Sequence, residues 1–230
     1  KSVKDTKNTA TRLGSYTVNL KSLLKITAIV FLALAIIVTS VVLTVKHFSN
    51  LKDRKRLEKL ITIETPEYVT KDYIDIHDYA RTGNKLDGIN NIVIHYVGNP
   101  QTTAQNNRDY FNNPGTDVSS HFVVGLEGEI IECLPLDEIS AASNHRNHDT
   151  ISIEVCHPDE TGKFNEITYS ALVKLTAWLC SELDFSSENV IRHYDVTGKE
   201  CPLYYVENPD EWERLLEDVD SEIASLNGKE

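Results

Sequence analysis

NIVIHYVG, residues 91–98, is the stretch of the sequence that decides the fold. Most of its apolar side chains are β-branched, and Gly88 and Gly98 bound the segment, so residues 89–97 are predicted to form a central, buried strand. Near the end of this strand stands His95. A buried strand is a rigid support for a functional side chain.

A second stretch, VIRHYDVTGKECP at residues 190–202, supplies two more side chains of the types that bind zinc. His193 follows a predicted short strand, residues 190–192, and Cys201 lies further along the same loop. With His95 they make two imidazoles and one thiolate, a three-ligand set that leaves a fourth tetrahedral position open, as in catalytic zinc sites. A closed structural site would usually contain a C-x-x-C pair, and the sequence has none. The spacing alone leaves another interpretation equally open: His95 is a satisfied core histidine and Cys201 a small buried apolar residue.

Four motifs follow one another in a family-specific order. They are VIHYVGNP, SSHFVVGLEGEIIECLP, DTISIEVCHP and RHYDVTGKECP. In this order they resemble the type 2 N-acetylmuramoyl-L-alanine amidases, a zinc family that includes small phage lysozyme-like amidases and the peptidoglycan recognition proteins. The resemblance covers roughly residues 65–220. It implies an α/β fold with a mixed central β-sheet and helices packed on it.

The resemblance also implies roles for individual residues. His95, His193 and Cys201 are expected to bind Zn²⁺. Lys199 matches the family's active-site lysine, and Glu154 lies where many members carry a catalytic acid. The implied reaction is hydrolysis of the amide bond between N-acetylmuramic acid and the L-alanine of the peptidoglycan stem peptide, with zinc providing a nucleophile at neutral pH.

The local sequence around Glu154 favours a functional role. Alternation along the predicted strand 150–156 places its isoleucines on one face and Glu154 on the other, where a lone acid is unusual without a partner or a task. As a general base, Glu154 would carry a proton from water to the leaving amine. The alternative is an ordinary strand-end carboxylate paired with a Lys or Arg. Lys199 would stabilise the oxyanion of the tetrahedral intermediate, or else be a solvated loop lysine.

Two further residues are predicted to contact the substrate. His121 opens a predicted hairpin and matches a common family position near the groove. Arg81 lies in the lead-in to the domain and is a candidate partner for stem-peptide carboxylates. Many relatives carry a Trp-His-Ala-Gly-like segment where this chain has ASNH, residues 142–145, so substrate contacts at that segment stay open.

The remaining elements fit an α/β fold. The sequence predicts a helix over residues 101–111, a hairpin of 121–126 and 129–134 around Glu127-Gly128, a strand at 150–156, a helix from an N-cap at Thr168 to Leu183, and a helix from Pro209. Strands and helices therefore interleave around one sheet.

The N-terminal part of the chain has a different character. Residues 26–45 run for 20 residues without a charge, enough for a helix of about 30 Å that crosses a bilayer. No small-residue cleavage site follows, so the segment is predicted to be an uncleaved transmembrane anchor. Residues 1–25 are then a basic cytoplasmic tail, residues 46–65 a charged helical stalk and residues 66–226 the zinc amidase domain.

The expected substrate sets the predicted orientation. Equal numbers of Lys and Arg flank the span, so the charge distribution does not decide it. Peptidoglycan lies outside the cytoplasmic membrane, which puts the N-terminus inside and the catalytic domain outside. The basic residues among 52–56 either touch anionic lipid headgroups or belong to a solvated linker.

Composition excludes some classes of protein. The chain has 230 residues and a net charge of −12, which argues against a nucleic-acid partner because such proteins neutralise phosphates with Lys and Arg. A hydrophobic fraction of 40% is that of a globular protein. Two alternatives to the enzyme remain. One is a zinc-free module that binds peptidoglycan without cutting it, against which Cys201 argues. The other is an interaction platform, which only the anchor and stalk favour. The oligomeric state is not set by the sequence.

Overall fold

The computed structural model describes residues 20–228, and the chain divides into two units, residues 1–49 and residues 50–230. In the first unit the described residues are helical, and their side chains are exposed from residue 23 to residue 49. The helix is long and apolar enough to cross a membrane by length and composition, properties that a signal sequence shares. Most of the predicted basic tail lies outside the described residues.

Six strands form one sheet, and helices connect or follow them. The elements are α1 (Leu20–Leu60), β1 (Val69–Lys71), β2 (Asn91–Tyr96), α2 (Ala104–Phe111), β3 (Phe122–Val124), β4 (Ile130–Glu132), β5 (Thr150–Val155), α3 (Glu166–Leu183), β6 (Val190–Arg192), α4 (His193–Thr197), α5 (Leu203–Glu207) and α6 (Pro209–Asn227), with 3₁₀ turns at Asn144–Arg146 and Ser187–Asn189.

The strand order is β1-β4-β3-β5-β2-β6. β2 pairs in parallel with β5 on one side and with β6 on the other, whereas β3 and β4 form an antiparallel hairpin. Ile92, Val93 and Ile94 are fully buried, which confirms the predicted central strand. Because both faces of β2 are covered, its sequence is a continuous apolar run rather than an alternating one.

The two faces of the sheet are buried against different elements. One face packs against α3 and α6 in a core that includes Ile92, Ile94, Ile151, Ile153, Leu172, Leu175, Leu215 and Val219. The other face packs against α2 and the segment after β1, in a smaller core with Ile74, Phe111, Val123, Ile131 and Cys156. His95 and Glu154 alternate with the isoleucines of the first core, so they belong to the second face. The fold is the predicted mixed sheet with packed helices.

Two helices begin at residues other than those predicted. Asn165, not Thr168, caps α3: its side chain accepts from the backbone N–H groups of Ile167 and Thr168. Thr168 is fully buried inside the first turn of α3 and donates to the carbonyl of Gly125. Similarly, α2 begins after Thr103 rather than at residue 101, because Thr103 forms a capping box with the third helical residue.

The end of α1 belongs to the second unit and is not a solvated stalk. Leu60 is buried in the large core, and Leu57 packs against it. Arg56 donates from Nε to the carbonyl of Leu183 at 2.8 Å and stacks 4.4 Å from the ring centroid of Phe185. The compact unit therefore includes the chain from residue 50 onward, ahead of the predicted start at residue 66, because Leu57 and Leu60 pack into its core.

Replacing Arg56 with Ala should destabilise the second unit. The change removes hydrogen bonds to the terminal carbonyls of α3 and the stacking on Phe185, so we expect a loss of about 1–2 kcal/mol in the free energy of unfolding. Urea denaturation of the full chain in detergent, followed by tryptophan fluorescence, measures this. The matched control is Arg54→Ala, whose exposed ion pair with Glu58 spans 3.9 Å, and it should change stability by less than about 0.5 kcal/mol. Equal effects of the two changes would contradict a docked helix end.

Candidate metal centre

His95 lies one residue before the end of β2 and is 1% exposed. Its Nδ1 lies 3.9 Å from the Sγ of Cys201, and its Nε2 lies 3.3 Å from the Oγ of Ser143. Burial is the main cause that lowers the pKa of His95 well below its ordinary value, with smaller contributions from His193 and Lys199. The imidazole is therefore neutral at pH 7, with one ring nitrogen holding a lone pair.

His193 is the first residue of α4 and follows directly after β6. Because β6 pairs with β2 in a register that sets Arg192 opposite Ile94, the next residues, His193 and His95, come side by side. Their ring centroids are 4.6 Å apart. The Nδ1 of His193 is buried without a hydrogen-bond partner. Burial, and then the charge of Lys199, lower the pKa of this histidine.

Cys201 reaches the two histidines through the turn that ends α4. Gly198 ends that helix in the left-handed region, with φ +77°, which a residue with a Cβ adopts only under strain. The chain then doubles back, and the backbone N–H of Tyr194 donates to the carbonyl of Cys201 at 2.9 Å. Burial raises the pKa of the Cys201 thiol to about 12, and nearby Glu154 adds to this shift.

The three predicted ligands thus come together in the interior. One ligand atom from each of His95, His193 and Cys201 lies within 4.8 Å of the other two. Donors around a tetrahedral zinc ion are about 3.3–3.6 Å apart, given the usual Zn–N and Zn–S bond lengths. Small side-chain movements would close the remaining difference, so this group can hold a metal ion.

Glu154 lies beside this group. The parallel register of β2 and β5 pairs it with His95, and both side chains lie on the same face of the sheet. Part of the residue reaches solvent, but its Oε2 is buried and has no hydrogen-bond partner. Burial raises the pKa of Glu154 to about 8, against the opposing charge of Lys199. The predicted alternation around Glu154 is confirmed, because Ile151 and Ile153 lie in the large core on one face of the sheet and Cys156 lies in the smaller core on the other.

Lys199 is exposed on the loop between α4 and Cys201. It lines an open cavity of about 310 Å³ together with residues that include Asp117, Ala142, Asn144 and His193. Its charge lowers the pKa of His193 and of Glu154, so it lies close enough to act electrostatically on the group.

His121 has a structural role instead of the predicted substrate contact. It is fully buried. Its Nε2 donates to the carbonyl of Glu138 at 2.9 Å, and its Nδ1 accepts from the backbone N–H of Ser152 at 3.1 Å. Both ring nitrogens are therefore used inside the protein, and neither is available to a substrate. Burial lowers its pKa to about 4, which keeps the ring neutral at pH 7.

Arg81 is likewise part of the scaffold. Its guanidinium pairs with the buried carboxylate of Glu138 through Nε at 2.7 Å and through Nη2 at 3.1 Å, and it also donates to the carbonyl of Ile74. Its side chain is 13% exposed. The predicted pairing with stem-peptide carboxylates does not agree with a guanidinium already occupied by an internal acid.

Ser143 and Asn144 touch the metal group, although the sequence assigned them no function. Asn144 Oδ1 lies 2.7 Å from the Nε2 of His193, and Ser143 approaches His95. The only sequence signal was the departure from the family at residues 142–145. That signal identifies an unusual loop but gives no direction for its side chains.

Comparisons with known proteins agree with this geometry. A family model described as N-acetylmuramoyl-L-alanine amidase matches residues 72–203. N-acetylmuramoyl-L-alanine amidase CwlL of Bacillus licheniformis is 30% identical over an alignment of 176 residues, and the match covers 68% of this chain and 48% of CwlL. N-acetylmuramoyl-L-alanine amidase BlyA of Bacillus subtilis (strain 168) is 29% identical over an alignment of 181 residues, and the match covers 70% of this chain and 48% of BlyA. The chain spans about half the length of these curated relatives.

A solved structure supports the fold. The structure of the catalytic domain of XlyA has 27% sequence identity and a TM-score of 0.58, and the match covers 66% of this chain and 98% of that domain. The second unit therefore shares the fold of a known catalytic domain, over nearly the whole length of that domain.

Replacing Glu154 with Gln should change how stability depends on pH in the metal-free protein. The pKa of Glu154 is about 8 in the folded chain against an ordinary 4.5, so between these values the unfolded chain releases a proton that the folded chain keeps. The free energy of unfolding of the parent should fall across that window by up to about 1.4 kcal/mol per pH unit, and the Gln variant should lack this decline. Urea denaturation in chelator at about pH 5 and about pH 8 compares the two. Equal pH dependence would contradict a buried, unpaired Glu154.

The roles of Arg81 and Glu138 can be separated by a double substitution. Arg81→Gln leaves the buried Glu138 without its main partner, so we expect a loss of about 3 kcal/mol in the free energy of unfolding. Adding Glu138→Gln removes the unpaired charge and should restore much of that loss. Denaturation curves of both single variants and the double variant give the coupling energy. An Arg81→Gln protein as stable as the parent would return Arg81 to the list of candidate substrate contacts.

Proposed function

Because the chain belongs to the N-acetylmuramoyl-L-alanine amidase family, we propose that it hydrolyses the amide bond between N-acetylmuramic acid and the L-alanine of the peptidoglycan stem peptide. The observation that carries this proposal is the group formed by His95, His193 and Cys201 next to the unpaired carboxyl of Glu154. Three donors that leave a fourth position open, with a carboxyl beside them, are typical of a catalytic rather than a structural metal site.

His95, His193 and Cys201 would hold a zinc ion. Two observations support this fit: a buried Nδ1 of His193 without a partner, and a donor set of two imidazoles and one sulfur, which suits zinc better than the oxygen-binding cations. The raised pKa of the thiol means that binding the ion would release its proton. When bound, zinc lowers the pKa of a water molecule toward about 7 and polarises the substrate carbonyl.

Glu154 would move the proton in this reaction. Its carboxylate accepts a proton as water attacks the carbonyl carbon, and it then gives that proton to the nitrogen as the C–N bond breaks, releasing a lactyl carboxylate and the amino group of L-alanine. A pKa that burial has raised toward neutrality suits a group that must both accept and donate near pH 7. Lys199 would place positive charge near the oxyanion that forms on the carbonyl oxygen.

Residues 26–45 would anchor this enzyme in the cytoplasmic membrane, with the N-terminus inside and the catalytic unit outside. The length and apolar composition of the helix support a span, and the extracellular location of peptidoglycan supports the orientation. An anchored amidase would act in cell-wall remodelling or lysis, held next to its polymeric substrate.

The test is hydrolysis of purified peptidoglycan sacculi by the full chain in detergent. Mass spectrometry should detect stem peptides with a free L-alanine amino terminus, and their release should stop with a chelator and return with zinc. Cys201→Ser should lose both zinc and activity. Glu154→Gln should keep zinc and lower the rate by about 10²–10⁴-fold.

Cys180→Ser is the matched control, because Cys180 is also buried and free but lies in α3. It should retain zinc and activity. Binding of zinc and sacculi by the parent protein without release of any stem peptide would contradict the proposal and favour a module that only binds peptidoglycan.

A further inference from the structure

The loop of Ser143 and Asn144 reaches both histidines of the metal group. Ser143 Oγ lies 3.3 Å from the Nε2 of His95, and Asn144 Oδ1 lies 2.7 Å from the Nε2 of His193. Each contact involves the ring nitrogen that faces away from the centre of the group. The inward nitrogens are both Nδ1: that of His95 faces Cys201, and that of His193 is buried and unpaired.

The loop is held in place by its own hydrogen bonds. Asn147 Oδ1 accepts from the backbone N–H groups of Ser143 at 2.6 Å and Ala142 at 3.2 Å. Ser143 is fully buried. Asn144 has φ +54°, in the left-handed region that Asn tolerates better than most residues, and it begins a 3₁₀ turn. The two side chains are therefore presented from a constrained backbone.

The contact with Asn144 fixes the tautomer of His193. The amide oxygen of Asn144 only accepts, so the Nε2 of His193 must carry the hydrogen and its Nδ1 must carry the lone pair. The hydroxyl of Ser143 can accept or donate, so its contact allows the same tautomer of His95, with the hydrogen on Nε2, without requiring it. With the hydrogen on Nε2 in both histidines, lone pairs on both Nδ1 atoms face the group, as metal ligation requires.

We infer that Ser143 and Asn144 are positioning residues that orient His95 and His193 as Nδ1 ligands, an inference that rests on the zinc site of the proposed function. They act through the histidines and do not touch the metal or the reacting atoms. The polar loop at residues 142–145, which departs from the segment common in relatives, thereby has a specific role in this chain.

Two variants of Asn144 separate positioning from a purely structural role. Asn144→Gly loses the acceptor but adopts a positive φ without strain, so the fold should be unaffected. Asn144→Asp keeps an oxygen acceptor at the same place. If Asn144 positions His193, zinc affinity should fall about tenfold or more in the Gly variant and be kept in the Asp variant. If its role is only to shape the loop, the Gly variant should bind zinc like the parent.

The first measurement is zinc affinity of the full chain in detergent, by competition with a chromophoric chelator. The second is the histidine tautomer in the metal-free protein, from long-range ¹⁵N–¹H correlation spectra. His95 and His193 should be Nε2–H tautomers in the parent, and His193 should become a mixture in Asn144→Gly. Ser143→Ala should have the corresponding effect on His95. His145→Ala, at the exposed next position, is the matched control and should leave both readouts unchanged.

The results of these zinc-affinity and tautomer measurements can be distinguished from the result of the amidase test. Parent-like zinc affinity and tautomers in both Asn144→Gly and Ser143→Ala would overturn the inference, even if the protein hydrolyses peptidoglycan. The inference would be upheld if zinc affinity falls in Asn144→Gly but not in Asn144→Asp, and if His95 and His193 are Nε2–H tautomers in the parent. This holds even if no stem peptide is released. Thermal melting of the metal-free variants checks that each one is folded.

Discussion

The in-register parallel pairing of β2 with β5 is the constraint on which the rest of the site depends. It sets His95 and Glu154 beside each other on one face of the sheet, while the isoleucines that alternate with them fill the core on the other face. The pairing of β2 with β6 adds His193 at the same end. Parallel strands bring their carboxyl ends to one edge of a sheet, so three residues from distant parts of the chain meet there without any long loop having to reach them. A slip of one residue in β2 would turn His95 into the apolar core.

Burial gives this edge its chemical character. Other acids of the scaffold have internal partners: Glu138 pairs with Arg81, Glu132 accepts from two hydroxyl groups, and Asp149 pairs with Arg146. Within the described residues, the Oε2 of Glu154 is the one buried carboxyl oxygen without a hydrogen-bond partner. Leaving such groups unpaired costs free energy, and proteins retain them chiefly where a ligand or a reaction uses them. Without a metal ion, we expect the histidines at this edge to be neutral, and the Cys201 thiol and Glu154 to be protonated. A bound cation would offset the cost of burying the charged forms of the thiol and the carboxyl.

The differences between expectation and structure follow one pattern. His121 and Arg81 were expected at the substrate, yet each satisfies an internal group, with Glu138 as a shared partner. Residues 46–65 were expected to form a charged helical stalk, yet from residue 50 onward they belong to the compact second unit, and Leu57 and Leu60 pack into its core. His121 and Arg81 were assigned to the substrate because their internal partner, Glu138, is distant in sequence and no local pattern reveals the contact. The loop of Ser143 and Asn144 is the reverse case, since the sequence assigned its polar residues no role and they contact the candidate metal ligands directly.

The sequence by itself determined the central strand, most of the other strands and helices, and the apolar N-terminal helix. These follow from local signals: β-branched runs, alternation, and capping and turn residues. The three candidate zinc ligands came from the resemblance to the amidases, because their spacing alone left a metal site and a buried core equally open. Only the tertiary structure decided which polar residues serve the site and which serve the scaffold. Hydrogen-bond partners such as Asn144 and His193, or Arg81 and Glu138, are 49 and 57 residues apart in the chain. No local pattern encodes a contact of that kind, because it exists only once the register of the sheet has brought the two segments together.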